Sequence, residues 1–172
     1  MSKETRKQRK EREEEEKKKI QETFEEFDAD GSGQIDDKEF VAGMKKYFQL
    51  ENSKDEDKYN SIFMTIFNLA DKASLFKKKN GELDLKEFTR VIKAIPKDSI
   101  GTDASENIIS DTLFNMIDVD HSGYISKSEF TKFCKQMNKG KGEIKETFSR
   151  MDVDNSGNID KDEFAIWFFN QK

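Results

Sequence analysis

Apolar side chains recur along this chain in one fixed phase. Ile20, Phe24 and Phe27 stand eight, four and one residues before Asp28, and Phe63, Phe67 and Ala70 hold the same offsets before Asp71. Ile144, Phe148 and Met151 repeat them before Asp152, while Leu113, Phe114 and Ile117 form a comparable set before Asp118. Spacings of three and four place each set on one face of a helix. After each aspartate comes a polar stretch containing glycine, then a second apolar face. Those faces are Phe40, Val41, Met44, Tyr47 and Phe48, then Phe88, Val91, Ile92 and Ile95, then Phe130, Phe133, Cys134 and Met137, and last Phe164 to Phe169. The pattern predicts an all-α chain of four helix–loop–helix units. Residues 49–60 are polar and read as a linker. Pro96, the only proline, should stop the helix before it, since the residue before proline is pushed from the helical region. Residues 97–104 then read as a hinge, with Asp103-Ala104-Ser105-Glu106 resembling a capping box for the next helix. The expected organisation is a charged helical extension over 1–19, one half over 20–96, the hinge over 97–104, and a second half over 105–172.

The polar stretches share a twelve-residue frame. Oxygen-bearing side chains fill positions 1, 3 and 5, glycine position 6, an aliphatic position 8, glutamate position 12 and phenylalanine position 13. This frame resembles the EF-hand calcium loop, and the chain from about Ile20 to Phe169 resembles the four-hand calmodulin superfamily. The resemblance implies a ligand set, because Ca²⁺ is a hard cation that takes about six to eight oxygens. Positions 1, 3 and 5 ligate through side chains, 7 through its carbonyl, 9 through water, and 12 with both carboxylate oxygens. Loop one then offers Asp28, Asp30, Ser32, Gln34, Asp36 and Glu39; loop three offers Asp118, Asp120, Ser122, Tyr124, Ser126 and Glu129. Loop four offers Asp152, Asp154, Ser156, Asn158, Asp160 and Glu163. Three Ca²⁺ sites are expected, with Mg²⁺ as a competitor. Loop three holds three acids where loops one and four hold four, so on charge alone it is expected to be the weakest. The resemblance also implies that hands pair into two lobes through short β-bridges between loops, with Ile35 meeting Leu83 and Ile125 meeting Ile159.

The second loop breaks the frame, since Asp71 to Glu87 spans 17 residues instead of 12. Counting forward puts Ala73 and Leu75 at positions 3 and 5; counting back from Glu87 puts Phe76, Lys78 and Asn80 at 1, 3 and 5. Neither register supplies enough oxygens, and Lys77, Lys78 and Lys79 add positive charge. A hand that folds without binding Ca²⁺ is expected. Active hands one, three and four beside a silent second hand resemble the sarcoplasmic calcium-binding protein and calerythrin group, and also the coelenterate photoproteins. A photoprotein needs a cavity lined with several Trp, Tyr and His, and this chain has one Trp, one His and three Tyr.

Charged residues make up 39% of the chain and hydrophobic ones 33%, a balance that would favour disorder if spread evenly. Fifteen phenylalanines at repeating offsets gather the apolar share instead. The net charge of −5 suits a protein that gains cations and argues against a nucleic-acid partner. One cysteine, Cys134, precludes an intramolecular disulfide. The first residues lack an apolar signal-peptide core, Ser2 stands where myristoylation needs glycine, and no apolar run reaches membrane-spanning length. A cytoplasmic protein without a membrane anchor is expected. Residues 3–19 are nearly all charged, with Glu13, Glu14 and Glu15 four residues before Lys17, Lys18 and Lys19. They read as a solvated helix, or as a basic arm that touches an anionic surface or an acidic partner. His121 reads as a surface turn residue, Cys134 as core or a reactive thiol, and Trp167 as a core anchor or a partner contact. Function divides two ways. A calcium sensor would open a lobe onto an amphipathic helix of a target, with Met44, Met116, Met137 and Met151 as groove residues. A compact buffer would fill its own groove with Ile166, Trp167 and Phe169. No nucleophile–base pairing, phosphate loop or catalytic metal site is visible, so an enzyme is not expected.

Overall fold

The structure, a computed structural model, describes residues 5–51, 54–71, 80–97 and 106–170. It begins with α1 (Arg6–Phe27), whose cap residue Thr5 exchanges hydrogen bonds with Gln8 in a capping box. The charged extension and the first entering helix are thus one continuous helix. Its first half is held by contacts along its own surface, including Arg9–Glu13 at 2.8 Å and Glu15–Lys19 at 2.9 Å. Of the three expected pairs, Glu15–Lys19 is closed, while Glu13 turns back to Arg9 and Lys18 reaches on to Glu22 at 3.7 Å. Such solvent-exposed, salt-screened pairs contribute little to stability. Burial of Ile20, Phe24 and Phe27 contributes about 1.5–3 kcal/mol per side chain, so the second half anchors the helix.

The strand β1 (Ile35–Asp36) and helix α2 (Asp37–Tyr47) complete hand one. Helix α3 (Glu56–Ala70) starts earlier than the sequence suggested, which shortens the supposed 49–60 linker. The reason is Tyr59, which was assigned to the linker. It is 7% exposed and lies against Phe63, with ring centroids 6.4 Å apart. The polar residues around it form the solvent side of a helix. Strand β2 (Glu82–Leu83) and α4 (Leu85–Ala94) follow, and α4 ends before Pro96 as expected. The second half repeats the order with α5 (Glu106–Ile117), β3 (Ile125–Ser126), α6 (Lys127–Gln136), α7 (Lys141–Met151), β4 (Asn158–Ile159) and α8 (Lys161–Phe169). The expected capping residues Asp103 to Ser105 and most of the 97–104 hinge lie outside the described residues.

Strands β1 and β2 pair antiparallel with Ile35 opposite Leu83, and β3 and β4 with Ile125 opposite Ile159, the partners the sequence suggested. All four of these side chains are fully buried. Each lobe closes around phenylalanine edges. In the first, Phe88 meets Phe24 at 5.7 Å and Phe27 at 4.9 Å; in the second, Phe114 meets Phe164 at 5.7 Å and Phe130 meets Phe148 at 5.6 Å. Edge-to-face rings at these distances add to simple burial. Helix α5 departs from the common phase. Its minus-eight position is Ser110, buried at 1% exposure, and apolar weight shifts to Ile109 and Leu113. Thr112, also buried, satisfies its hydroxyl on the Ile108 carbonyl at 2.7 Å. The lobes touch through α4 and α5, where the Asn115 amide donates to the Ala94 carbonyl at 2.8 Å.

Helix α2 carries a glycine in its interior for a steric reason. A Cβ on Gly43 would lie 2.4 Å from the ring of Phe27, so α1 approaches α2 closely only where that side chain is missing. Gly43→Ala should therefore destabilise the fold by about 1–3 kcal/mol through overpacking, although alanine favours a helix over glycine by about 1 kcal/mol. Urea unfolding followed by circular dichroism measures the net effect. A more stable variant would show that α1 can move away at little cost.

Candidate metal centres

Three clusters of carboxylates stand at the ends of the entering helices. They are Asp28, Asp30 and Glu39; Asp118, Asp120 and Glu129; and Asp152, Asp154 and Glu163. In each, one oxygen per residue lies within 4.8 Å of the others. Two oxygens on a shell of radius about 2.4 Å can be no more than about 4.8 Å apart, so each set can face a single Ca²⁺. The donors are all oxygen, with no imidazole or thiolate, which is the chemistry of a hard cation.

Backbone amides hold these carboxylates in place. In loop one, Asp28 accepts from Ser32 N–H at 2.9 Å and Gly33 N–H at 2.8 Å. Asp118 accepts from Ser122 and Gly123 at 3.0 and 2.9 Å, and Asp152 from Gly157 at 3.1 Å. Asp30, Asp120 and Asp154 each accept the N–H of the serine two residues on, at 2.9, 3.0 and 2.9 Å. The Ser32 hydroxyl and amide hold the Asp30 carboxyl below the usual range, Ser122 does the same for Asp120, and the Ser156 amide and hydroxyl for Asp154. Burial pushes Glu129 up, but hydrogen bonds from Ser126 and the Val119 amide outweigh it, and the group ends below its ordinary value. Hydrogen bonding within the loops thus favours the ionised form of Asp30, Asp120, Glu129 and Asp154.

The glutamate at position 12 closes each loop with two separate oxygens. Oε1 of Glu39, Glu129 and Glu163 accepts from the second residue of its loop, at 2.9 Å (Ala29), 2.9 Å (Val119) and 2.7 Å (Val153). Oε2 accepts from position 9, at 3.0 Å (Asp36), 3.0 Å (Ser126) and 3.1 Å (Asp160). Position 9 returns the favour as the N-cap of the exiting helix: Asp36 and Asp160 accept the N–H of Glu39 and Glu163 at 2.8 Å, and Ser126 that of Glu129 at 3.3 Å. The side chains of Asp36, Ser126 and Asp160 are therefore committed to helix caps and stand apart from the three-carboxylate clusters. The fourth acid that set loops one and four above loop three lies in the cap, so the converging charge is the same in all three. At position 7, the carbonyls of Gln34, Tyr124 and Asn158 each accept the position-5 serine hydroxyl, at 3.0, 3.0 and 3.1 Å, which brings serine and carbonyl together.

One local rule escaped sequence reading. Position 4, not only position 6, has a left-handed backbone: Gly31 at φ 69°, His121 at 56° and Asn155 at 57°. Glycine, histidine and asparagine are among the residues that tolerate this region, so the signal was present in their identity. His121 is exposed, in agreement with a turn role.

The broken second hand keeps the scaffold of a working one. Asp71 has the same backbone as Asp28 and Asp152, with φ −69° and ψ 74°. It accepts the Gly81 N–H at 2.9 Å, as Asp28 accepts that of Gly33. Asp84 caps α4 in a capping box with Glu87. Asp71 is thus position 1, and Gly81 to Glu87 are positions 6 to 12. The extra residues fall between, so both simple registers were half right. The Arg90 guanidinium also donates to the Ala70 carbonyl, tying α4 to the end of α3. Phe76, Lys77, Lys78, Lys79, Ala73 and Leu75 lie outside the described residues.

Elsewhere in the second lobe, a groove of about 600 Å³ runs between α6, α7 and α8, with α3 of the first lobe along one side. Phe133, Met137, Ile144 and Trp167 line it, and Cys134 stands at its wall. Burial pushes the Cys134 thiol up to about 11, so it packs as an apolar group, not as a nucleophile. Trp167 is half-buried against Phe164, with centroids 5.6 Å apart. Ile166 is 60% exposed and does not fill the groove, contrary to the expectation for a self-closed helix α8.

Comparison with known proteins agrees with this architecture. The profile of the EF-hand domain pair matches residues 111–169, and that of the EF hand domain matches residues 19–47. Troponin C, isoform 2, of Caenorhabditis elegans is 30% identical over 111 residues, which cover 64% of this chain and 61% of that protein. The probable calcium-binding protein CML20 of Arabidopsis thaliana is 31% identical over 119 residues, or 69% of this chain and 60% of the relative. The chain thus matches about 60% of the length of these curated relatives. Calcium-loaded apo-aequorin from Aequorea victoria overlaps 91% of this chain and 90% of its own at 21% identity, with a TM-score of 0.39. The matched profiles, the paired loops and the relatives make this chain an EF-hand protein of the calmodulin superfamily, with three loops suited to calcium.

Proposed function

We propose that this protein is a calcium sensor that takes up three Ca²⁺ through loops one, three and four and acts on a partner protein. Bound Ca²⁺ would neutralise the converging carboxylates. The protein's own part is to hold those oxygens ready and to link each loop to its exiting helix through one glutamate. Because Glu39, Glu129 and Glu163 bond both the loop start and the helix cap, a shift in their carboxylates moves the exiting helix against the entering one. The observation that carries a sensor role is the open groove of the second lobe, where Phe133, Met137 and Trp167 offer apolar and adaptable contacts to an amphipathic helix. Mg²⁺ would compete at the same oxygens. The likeness to a probable calcium-binding protein supports the calcium-binding part of this reading, and a non-enzymatic role is part of the proposal. No helix among the described residues is long and apolar enough to cross a membrane, and a cytoplasmic setting is part of the proposal.

A compact buffer is the second reading, and one observation favours it. Lys58, Ser61, Ile62 and Thr65 of α3 border the same groove, and Asn115 bonds Ala94 across the lobes. Lobes held this way can bind ions with little opening. Hydrophobic-dye fluorescence separates the readings. A rise on adding Ca²⁺ is expected of the sensor; an unchanged or falling signal identifies the buffer.

Calorimetric titration should give three Ca²⁺ per chain, with affinities of about 10⁻⁷–10⁻⁵ M. Glu39→Gln, Glu129→Gln and Glu163→Gln should each remove one site, because each breaks the closure of one loop. Two or four sites in the unaltered protein would contradict the assignment.

Tyr124 offers a marker for loop three. Its carbonyl accepts the Ser122 hydroxyl while the residue is 53% exposed, and loops one and four have Gln34 and Asn158 at that position. Tyrosine-excited Tb³⁺ luminescence should therefore report loop three, and Tyr124→Phe should remove most of it while three Ca²⁺ still bind. Emission that persists in this variant would place another aromatic ring at a site.

A further inference from the structure

A second concave surface lies in the first lobe, far in character from the apolar groove. The free half of α1 and one side of α4 wall a cleft of about 1050 Å³. Arg9, Arg12 and Lys17 stand on the α1 wall; Lys86, Lys93 and Lys97 stand on or just after α4. Among the described residues, seven lysines and arginines line the cleft against two glutamates, in a chain whose net charge is −5. The two glutamates are already engaged, Glu13 by Arg9 at 2.8 Å and Glu16 by Lys97 at 3.9 Å. Lys86 and Lys93 are exposed and have no ion-pair partner among the described residues. Like charges gathered on two facing helices repel one another, and an anionic occupant would relieve that cost. At the base of the cleft sit Ile20, which is buried, and Leu85, which is 38% exposed.

We infer that this cleft is a docking surface for an acidic segment of a partner protein that carries an apolar side chain. Charge complementarity selects the sign of the occupant, and the Leu85 foot selects a polypeptide with an anchor over a bare polyanion. The concavity argues against a bilayer. The cations face one another across two helical walls, and a flat surface would meet only their rims. Among the described residues no aromatic side chain lines the cleft, so bases of a nucleic acid would find nothing there to stack on. The wall helices are the entering helix of hand one and the exiting helix of hand two, so occupancy of the cleft is linked to the N-terminal lobe and not to the C-terminal groove.

The test uses the full chain and a fluorescein-labelled peptide repeating Glu-Glu-Leu-Glu, followed by fluorescence anisotropy. Saturable binding that weakens with added salt is expected. The double variant Lys86→Glu/Lys93→Glu should weaken it at least about tenfold. Both side chains are exposed, so circular dichroism and the melting temperature should stay unchanged. Leu85→Ser should weaken binding by a smaller factor, and Met137→Ala, in the other groove, should leave it alone. Equal binding by the double variant, or equal binding of a Lys-Lys-Leu-Lys peptide, would overturn the inference. So would tighter binding to phosphatidylserine vesicles or to duplex DNA than to the acidic peptide.

Discussion

The structure depends on one carboxylate per loop with two duties. In Glu39, Glu129 and Glu163, one oxygen receives an amide from the loop's start and the other an amide from its end. Three acids per loop must otherwise share a space only a few ångströms wide, where like charges oppose folding. Amide donors offset that repulsion and fix the direction of every oxygen. The same glutamate occupies the third position of its helix and completes the capping box, so loop shape and helix start cannot change independently. The β-bridges then join one loop to the next through side chains that see no solvent.

Much of this was legible in the residues. The minus-eight, minus-four, minus-one phase placed the entering helices because a buried helical face has a fixed period, and the position-8 aliphatics named the bridge partners. What escaped was decided by geometry that no local pattern carries. Tyr59 looked like linker because its neighbours are polar, yet a single buried ring is enough to seat that turn of helix against Phe63. The Asp71–Gly81 bond could not be read from spacing, since the intervening insertion hides which residue holds position 1. Position 9 reads from the sequence as a ligand acting through water, and its second duty as the cap of the exiting helix shows only in the structure. Met137 and Trp167 were legible as groove residues and the first helix as a basic arm, but that α3 borders the groove and that α4 faces the arm depends on helices remote in sequence.

Helices α1 and α8 mark two ways of leaving side chains uncovered. The free half of α1 has charge on all sides and stays in solvent with a small gain from neighbouring pairs. Helix α8 is apolar on most sides, so Phe164 and Phe168 go inward, Trp167 takes the edge, and Ile166 is left outside. The first arrangement presents a field and the second a contact surface, and they face different regions of the molecule.

The Asn115 amide on the last carbonyl of α4 has a mechanical meaning. Helix α5 leads into loop three and α4 leads out of hand two, so this bond joins the entering helix of one lobe to the exiting helix of the other. It acts as a linkage pin between two levers. Any rotation of α5 must carry α4 along or give up the bond, and a lone α4 carbonyl would then need another donor. A single bond of this kind is worth about 1 kcal/mol, so it biases the angle at which the lobes meet without fixing it.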